Sequence, residues 1–488
     1  MAGVEGSCPL LDRGYPVLSD CFEHAESALK IPDSWAGLRV AVLGLGRSGR
    51  GAARLLRRAG ASVYASDFAD SEELREGEAE LRAASVEVEL GGHDVKKLQA
   101  SEMIVVSPGI PPNAHVLRQQ GVSSRPMISE LELAFNLLRS PVIAVTGTNG
   151  KTTTTAWIGD MIERSGLRVG IGGNIGEPLS DLALSSGERH DWVVAEVSSF
   201  QLAHTVNFSP AIGVFLNLGI DHLDRYESVE QYHQDKARIF ANASAESCWV
   251  LNGDDGNVLA LSTGRPGVRR YFRIATPLAP GEEGAWVTES GQLRMRMGGV
   301  ETELVAVDEL RTLGMHNVAN GLAASIAATQ AGVPEDFVRE SLRRFEPLPH
   351  RSQPIAEQDG VLWVNDSKAT NIAATRVAIR SLDRPIVLLL GGRGKGETFA
   401  DLASDVASVV RAVVAYGEAA EQIESELSTA TRVVRIDGPF EAVVERAGEL
   451  AVPGDAVLLA PACASFDMFR DYAERGVRFA RLVKERGS

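Results

Sequence analysis

From Leu38 onward the chain repeats one pattern: a short apolar run, a glycine-containing polar turn, then a segment whose apolar positions return every three or four residues. The first instance, LRVAVLGLGRSGRGAARLLRRAGASVYASD over 38–67, predicts a strand, a tight turn, a helix and a second strand. Another opens after Pro141 with VIAVTGTNGKTTTTAWIGDMIERSG and continues through the strand-like runs DWVVAEVSS and AIGVFLNL. The polar, glycine-rich stretch 262–304 predicts strands and turns inserted ahead of a helix beginning near His316. A third unit starts around LPHRSQ at 348–353 and holds GVLWVND, RPIVLLLGG, RAVVAYG and DAVLLAPA.

These runs are apolar throughout, so both strand faces are expected under cover, in mostly parallel sheets flanked by helices. The expected fold class is α/β with three domains. A Rossmann-like N-terminal domain is expected at 37–139, a central domain with a mostly parallel sheet at 140–345, and a C-terminal Rossmann-like domain at 346–488. Residues 1–36 have no clear period and read as an extension.

Size agrees, since 488 residues suit two to four domains. The formal charge of -16 argues against nucleic acid or an anionic membrane as partner, so an anionic ligand must be held by a local basic pocket. Cys8, Cys21, Cys248 and Cys463 are far apart and form no zinc-ligand spacing, which fits reduced thiols. The first residues lack a basic and an apolar export region, and no apolar run could span a bilayer. A cytoplasmic protein without membrane insertion is expected.

The strongest local signal is Gly147, Thr148, Asn149, Gly150, Lys151, Thr152 and Thr153, set between a strand and a helix. Such a loop brings backbone N–H groups and a helix N-terminus to phosphates, with Lys reaching the β/γ-phosphates and a Thr hydroxyl able to hold Mg²⁺. Val145 departs from the full GxxxxGK[ST] pattern. ATP is the natural ligand, and the central domain becomes a P-loop-type ATPase domain; the plainer alternative is a glycine turn with a surface lysine. Gly44, Leu45, Gly46, Arg47, Ser48 and Gly49, with Asp67 ending the next strand, meet the dinucleotide fingerprint, which fits NAD or a nucleotide-sugar alike.

Other residues are ambiguous on their own. Glu196 ends an apolar strand and suits either a metal-linked carboxylate or an ordinary strand end. His222 follows another strand among Asp221 and Asp224; a lone His is more often hydrogen-bonded than metal-bound. Lys236 sits in the helical SVEQYHQDKARIF and reads as a solvated or ion-paired lysine. Asn317 and Asn320 share a helix face, where they could read an adenine edge or cap the helix. Two polar clusters close the third unit's strands, Asn365 to Asn371 and Gly391 to Gly396, the latter placing Arg393 and Lys395 where a carboxylate or phosphate could approach.

Taken in order, GTNGKTT, GGNIG, EVSSFQL, DHLDRY, the helix lysine, MHNVAN, LPHR and NDSKATN resemble the Mur ligase family over roughly 37–484. Within it the chain is most similar to the D-glutamate-adding branch, through APACASFDMFRDYAERG and the lack of a DNPR motif. The resemblance implies an ATP-dependent amide ligase that adds D-glutamate to UDP-N-acetylmuramoyl-L-alanine through an acyl phosphate. It implies that Gly44, Leu45, Gly46, Arg47, Ser48, Asp67, Ser107, Pro108 and Gly109 bind UDP, with Asn174 near the muramoyl-alanine arm. The phosphate loop, Asn317, Asn320, Arg351 and Asp366 would hold ATP; Thr370, Lys395, Ser465 and Phe469 would surround D-glutamate. Thr152 and Glu196 would hold one Mg²⁺, and His222 with Lys236, carrying a CO₂-derived carbamate, a second. Lys151, Glu196, His222 and Lys236 are thereby the expected catalytic set, in a monomer.

Two departures concern the nucleotide contacts: Ala460 stands where Ser is common, and Phe68 where a polar uracil contact is expected. The rival readings are a folylpolyglutamate-type or other Mur-type ligase, an NAD-dependent oxidoreductase resting on GLGRSG, and a nucleotide switch that hydrolyses ATP without ligation.

Overall fold

The computed structural model describes residues 30–486, apart from 112, 186–188, 220–224 and 227. The first sheet takes strands β1 (Arg39–Leu43), β2 (Ser62–Asp67), β3 (Glu87–Leu90), β4 (Met103–Val106) and β5 (Met127–Ser129). Its order is β3-β2-β1-β4-β5 and every pairing is parallel. The order reverses beside β1, which places a ligand crevice at the carboxyl ends of β1 and β4.

The second sheet has nine strands: β6 (Val142–Thr146), β7 (Val169–Gly173), β8 (Trp192–Glu196), β9 (Ile212–Phe215), β10 (Cys248–Asn252), β11 (Val268–Arg273), β12 (Gly284–Val287), β13 (Gln292–Met297) and β14 (Val300–Ala306). Their order is β14-β13-β12-β11-β10-β9-β6-β8-β7. Helices Lys151–Arg164 and Met315–Gln330 cover one face through Trp157, Met161, Leu322 and Ile326. The opposite face shares one apolar cluster with the first sheet.

The stretch 262–304 is not an insertion. β11 pairs parallel with β10 and β12 parallel with β11, and β13 and β14 continue the same sheet through antiparallel pairings. It reads as polar because one face stays wet: Arg294 and Arg296 on β13 meet Glu301 on β14 across the strands, while Leu293 and Met295 point inward.

The third sheet has the order β15-β16-β20-β17-β18-β19, from β15 (Gln353–Gln358), β16 (Val361–Asn365), β17 (Ile386–Gly391), β18 (Val410–Tyr416), β19 (Arg432–Ile436) and β20 (Ala456–Leu459). Only the β15 edge is antiparallel. Apolar clusters cover both faces, as the uninterrupted runs require. Helix Glu130–Leu137 ties the first unit to the second: buried Glu132 accepts from the backbone N–H groups of Val206, Asn207 and Phe208. Among the described residues no helix is long and apolar enough to cross a membrane.

Candidate active site

The phosphate loop leaves β6 at Thr146 and enters helix Lys151–Arg164 at Gly150, whose φ of 84° puts it in the left-handed region. A Cβ at Gly150 would lie 2.4 Å from Asn320 Oδ1, so glycine serves both the turn and the close approach. A second loop steadies the first: Asn149 N donates to Asn217 Oδ1 at 2.8 Å, and Asn217 Nδ2 returns a bond to Asn149 O at 3.0 Å.

Two ammonium groups lie on this loop. Lys151 Nζ donates to Gly147 O and Thr148 O, both at 2.8 Å, and Lys236 Nζ donates to the same Gly147 O at 2.9 Å. Lys236 is only 2% exposed, and its ammonium stands 4.9 Å from the Tyr232 ring centre. The solvated lysine read from the sequence is therefore corrected: one turn of helix Val229–Ala237 carries Tyr232 and Lys236 inward together. His222 lies outside the described residues.

Glu196 closes β8 beside the loop, buried and paired through both oxygens. Thr152 Oγ1 donates to Oε2 at 2.6 Å and Asn174 Nδ2 to Oε1 at 3.0 Å. Arg351, nearly 200 residues further along, donates to the same Thr152 hydroxyl at 2.6 Å. The third unit thus reaches the mouth of the phosphate loop.

Two cavities open from this point. One, of about 250 Å³, runs between Thr152, Thr153, Asn317 and Asn320 on the central unit and Arg351, Asp366, Lys368, Thr370 and Lys395 on the third. Asn317 Nδ2 donates to Leu313 O and Asn320 Nδ2 to Asn317 Oδ1, which orients both amides. Lys395 Nζ is 3.5 Å from Thr370 Oγ1. Burial pushes Asp366 up to about 6, partly opposed by hydrogen bonding from Ser352 and by Arg351. Burial and then neighbouring Arg351 bring Lys368 down to about 8, with Glu196 acting the other way. Beyond Asn149 and Gly150 lies an apolar chamber of about 370 Å³ walled by Leu216, Phe272, Ile274 and Val377.

The other cavity, of about 290 Å³, is lined by Pro108 and Gly109 of the first unit and by Lys151, Asn174, Arg225, Tyr232 and Lys236. It leads toward the first glycine turn. There Gly49 packs its helix so closely that a Cβ would lie 1.8 Å from Gly44 O, and Ser107 Oγ donates to that carbonyl. Asp67 is committed to the turn: Leu45 N donates to Oδ2 at 2.7 Å and Ala69 N to Oδ1 at 2.9 Å. Leu45 is buried, Gly46 and Arg47 are exposed and Ser48 half-buried, and Arg47 reaches Gly176 O of the central unit.

Of the four residues expected around D-glutamate, two stand apart from the cavity lining. Ser465 is buried, and its carbonyl accepts from Met468 and Phe469 N–H. The Phe469 ring packs edge-on against Phe440, 5.1 Å away, in the core of the third unit. Their segment nevertheless borders the Lys395 loop, because Arg393 and Ala464 exchange backbone hydrogen bonds. Lys368, Tyr232 and Arg225 received no role from their residue types. The four-residue spacing of Tyr232 and Lys236 was the one usable signal.

Family models match in chain order: the Mur ligase MurD-like N-terminal domain over 38–129, the Mur ligase middle domain over 145–328, and the Mur ligase glutamate ligase domain over 350–463. The UDP-N-acetylmuramoylalanine--D-glutamate ligase of Salinibacter ruber is 41% identical, covering 93% of this chain and 99% of its own. That of Acidobacterium capsulatum is also 41% identical, over 92% of this chain and 96% of its own. In fold, the chain is similar to a pseudomurein peptide ligase type C from Methanothermus fervidus, with a TM-score of 0.57, 21% identity, and coverage of 92% of this chain and all of that one. With three family domains in sequence and near-full-length relatives at this identity, the chain belongs to the Mur ligase family.

Proposed function

We propose that the protein is an ATP-dependent amide ligase that joins D-glutamate to UDP-N-acetylmuramoyl-L-alanine, releasing ADP and phosphate. The observation that carries this reading is the Thr152–Glu196 pair, set between two cavities and reached by Arg351 from the third unit. A carboxylate must be activated before an amine can displace its oxygen, and phosphoryl transfer from ATP does this. The alanyl carboxylate attacks the γ-phosphorus, giving an acyl phosphate and ADP; the D-glutamate amine then attacks the acyl carbon and phosphate leaves.

In this reading Lys151 exchanges its loop carbonyls for the β/γ-phosphates and offsets their charge. Asn317 and Asn320 face the purine, whose ring the apolar chamber suits. Thr370 and Lys395 meet D-glutamate, Ser465 and Phe469 support that side, and the first glycine turn takes the UDP diphosphate. The Thr152 hydroxyl and Glu196 carboxylate are hard oxygen donors 2.6 Å apart, a set that fits Mg²⁺. A bound Mg²⁺ supplies charge neutralisation on the transferring phosphoryl group. His222 and Lys236 would hold a second ion, the lysine as its carbamate. The protein is read as a monomer of the cytoplasm, the compartment in which nucleotide-linked substrates and ATP would be met.

The test incubates the protein with ATP, Mg²⁺, UDP-N-acetylmuramoyl-L-alanine and D-glutamate and identifies products by mass spectrometry. The ligated dipeptide, with ADP and phosphate in equal amounts, is expected. ATP hydrolysis without a ligated product would favour a switch protein, and nicotinamide turnover without ATP an oxidoreductase.

A further inference from the structure

One charged side chain lies wholly inside the third unit, outside the lining of both cavities. Arg475, in the first turn of helix Tyr472–Arg486, is 0% exposed. Its guanidinium holds one hydroxyl and three backbone carbonyls, and no carboxylate. Nε donates to Ser367 Oγ at 2.9 Å, Nη2 to Ser367 O at 2.9 Å and to Cys463 O at 3.2 Å, and Nη1 to Gly391 O at 3.5 Å. A cation buried without a counter-charge costs stability even when hydrogen-bonded, and an apolar side chain of similar volume would fill the same space at lower cost. Packing alone therefore does not account for an arginine here.

What the fork joins does account for it. Ser367 follows β16, Gly391 ends β17 and Cys463 follows β20, three neighbouring strands of the third sheet. The loops that leave them carry Lys368 and Thr370, then Lys395, then Ser465, the first three lining the cavity shared with the central unit. The joints are tight. Ser367 Oγ donates onward to Tyr472 O at 2.8 Å and Asn365 Nδ2 to Gly476 O at 3.0 Å, while a Cβ at Gly392 would lie 2.2 Å from Ala464 O and 3.2 Å from Arg475 Nη1. A lysine ammonium gathers its donors at one point and cannot span three loops as a planar fork of five N–H groups does.

We infer that Arg475 is a positioning residue for the amino-acid end of the site: its buried fork sets the loops after β16, β17 and β20 against one another, and so holds Thr370, Lys395 and Ser465 as one constellation. The inference rests on the proposed D-glutamate reading and adds the residue that assembles that pocket without lining it. All four bonds of the fork stay within the third unit, so formation of the acyl phosphate on the central unit does not depend on it.

The test compares wild type with Arg475→Lys, which keeps the charge without the fork, and Ser367→Ala, which removes one acceptor and leaves the guanidinium in place. The readouts are KM for each substrate, kcat, a thermal melt, and the acyl phosphate trapped by borohydride reduction with no amino acid present. Arg475→Lys is expected to raise KM for D-glutamate by about tenfold and Ser367→Ala by about threefold. KM for the UDP substrate and the amount of trapped acyl phosphate should match wild type in both. Where Arg475→Lys does not fold, Ser367→Ala alone decides the matter. Unchanged KM for D-glutamate in the folded variants, or a rise in every KM together with loss of the acyl phosphate, overturns the inference while leaving the ligase reading intact. A wild-type protein without D-glutamate-dependent ligation overturns both.

Discussion

Among the site residues, Lys236 departs furthest from its sequence reading. Nothing in SVEQYHQDKARIF separates it from a surface lysine, because the helix is polar on most of its positions and its partner Gly147 is 89 residues away. Lys151 was legible for the opposite reason, since the chemistry of a phosphate loop is written in contiguous residues. Lys151→Ala is expected to lower ligation by roughly a hundred- to a thousandfold while the fold is retained, measured as kcat beside a thermal melt. For Lys236, an ammonium on a loop that must take up a cation has the wrong sign, whereas a carbamate presents the oxygens Mg²⁺ prefers. Lys236→Ala should lose roughly a hundredfold or more in kcat and regain part of it with acetate at high concentration, which fits the space the side chain leaves. Methylamine at matched ionic strength should not rescue it; rescue by methylamine alone would mean that Lys236 works as a cation.

Strands β1, β6, β8, β9, β16, β17, β18 and β20 were visible as apolar runs because the core covers both their faces. β15 and β19 were not, since they form the edges of the third sheet and their residues are half-buried or exposed. The helix Glu130–Leu137 carries a consequence for pH. Its first residue is fully buried against helix Leu179–Leu184, where Ser180 N donates to Glu130 Oε1 at 2.6 Å. Burial raises this carboxyl from 4.5 to about 7, although the Ser180 contacts pull it down. The folded state therefore keeps a proton that the unfolded chain gives up first. The resulting stability is fully present below about 4.5 and is lost as pH rises through about 7. Glu130→Gln should remove that dependence, so that its Tm falls less than that of wild type between about pH 5 and about pH 8. An identical pH profile by calorimetry would mean that the carboxyl is ionised in the fold.

Across the molecule, three mostly parallel sheets turn functional loops toward a shared junction, and the amide-ligase chemistry needs that convergence: three substrates must meet while water is kept from an acyl phosphate. The ordered motifs made the three units and their succession legible. The contacts that join them were not legible, because they link residues far apart in the chain: Arg351 to Thr152, Glu132 to the 206–208 backbone, Arg47 to Gly176. Helix Glu130–Leu137, which the expected division at 139/140 places in the first unit, bonds through its carboxylates across to the second. If both cavities serve one ligation, phosphate release must depend on the amino acid supplied. The protein is given ATP, Mg²⁺ and UDP-N-acetylmuramoyl-L-alanine, and phosphate is followed on adding each of a panel of D- and L-amino acids. Release that depends on D-glutamate, and is absent with L-glutamate and with no amino acid, is the expected result; release that is indifferent to the amino acid, or that follows a different one, would contradict the account.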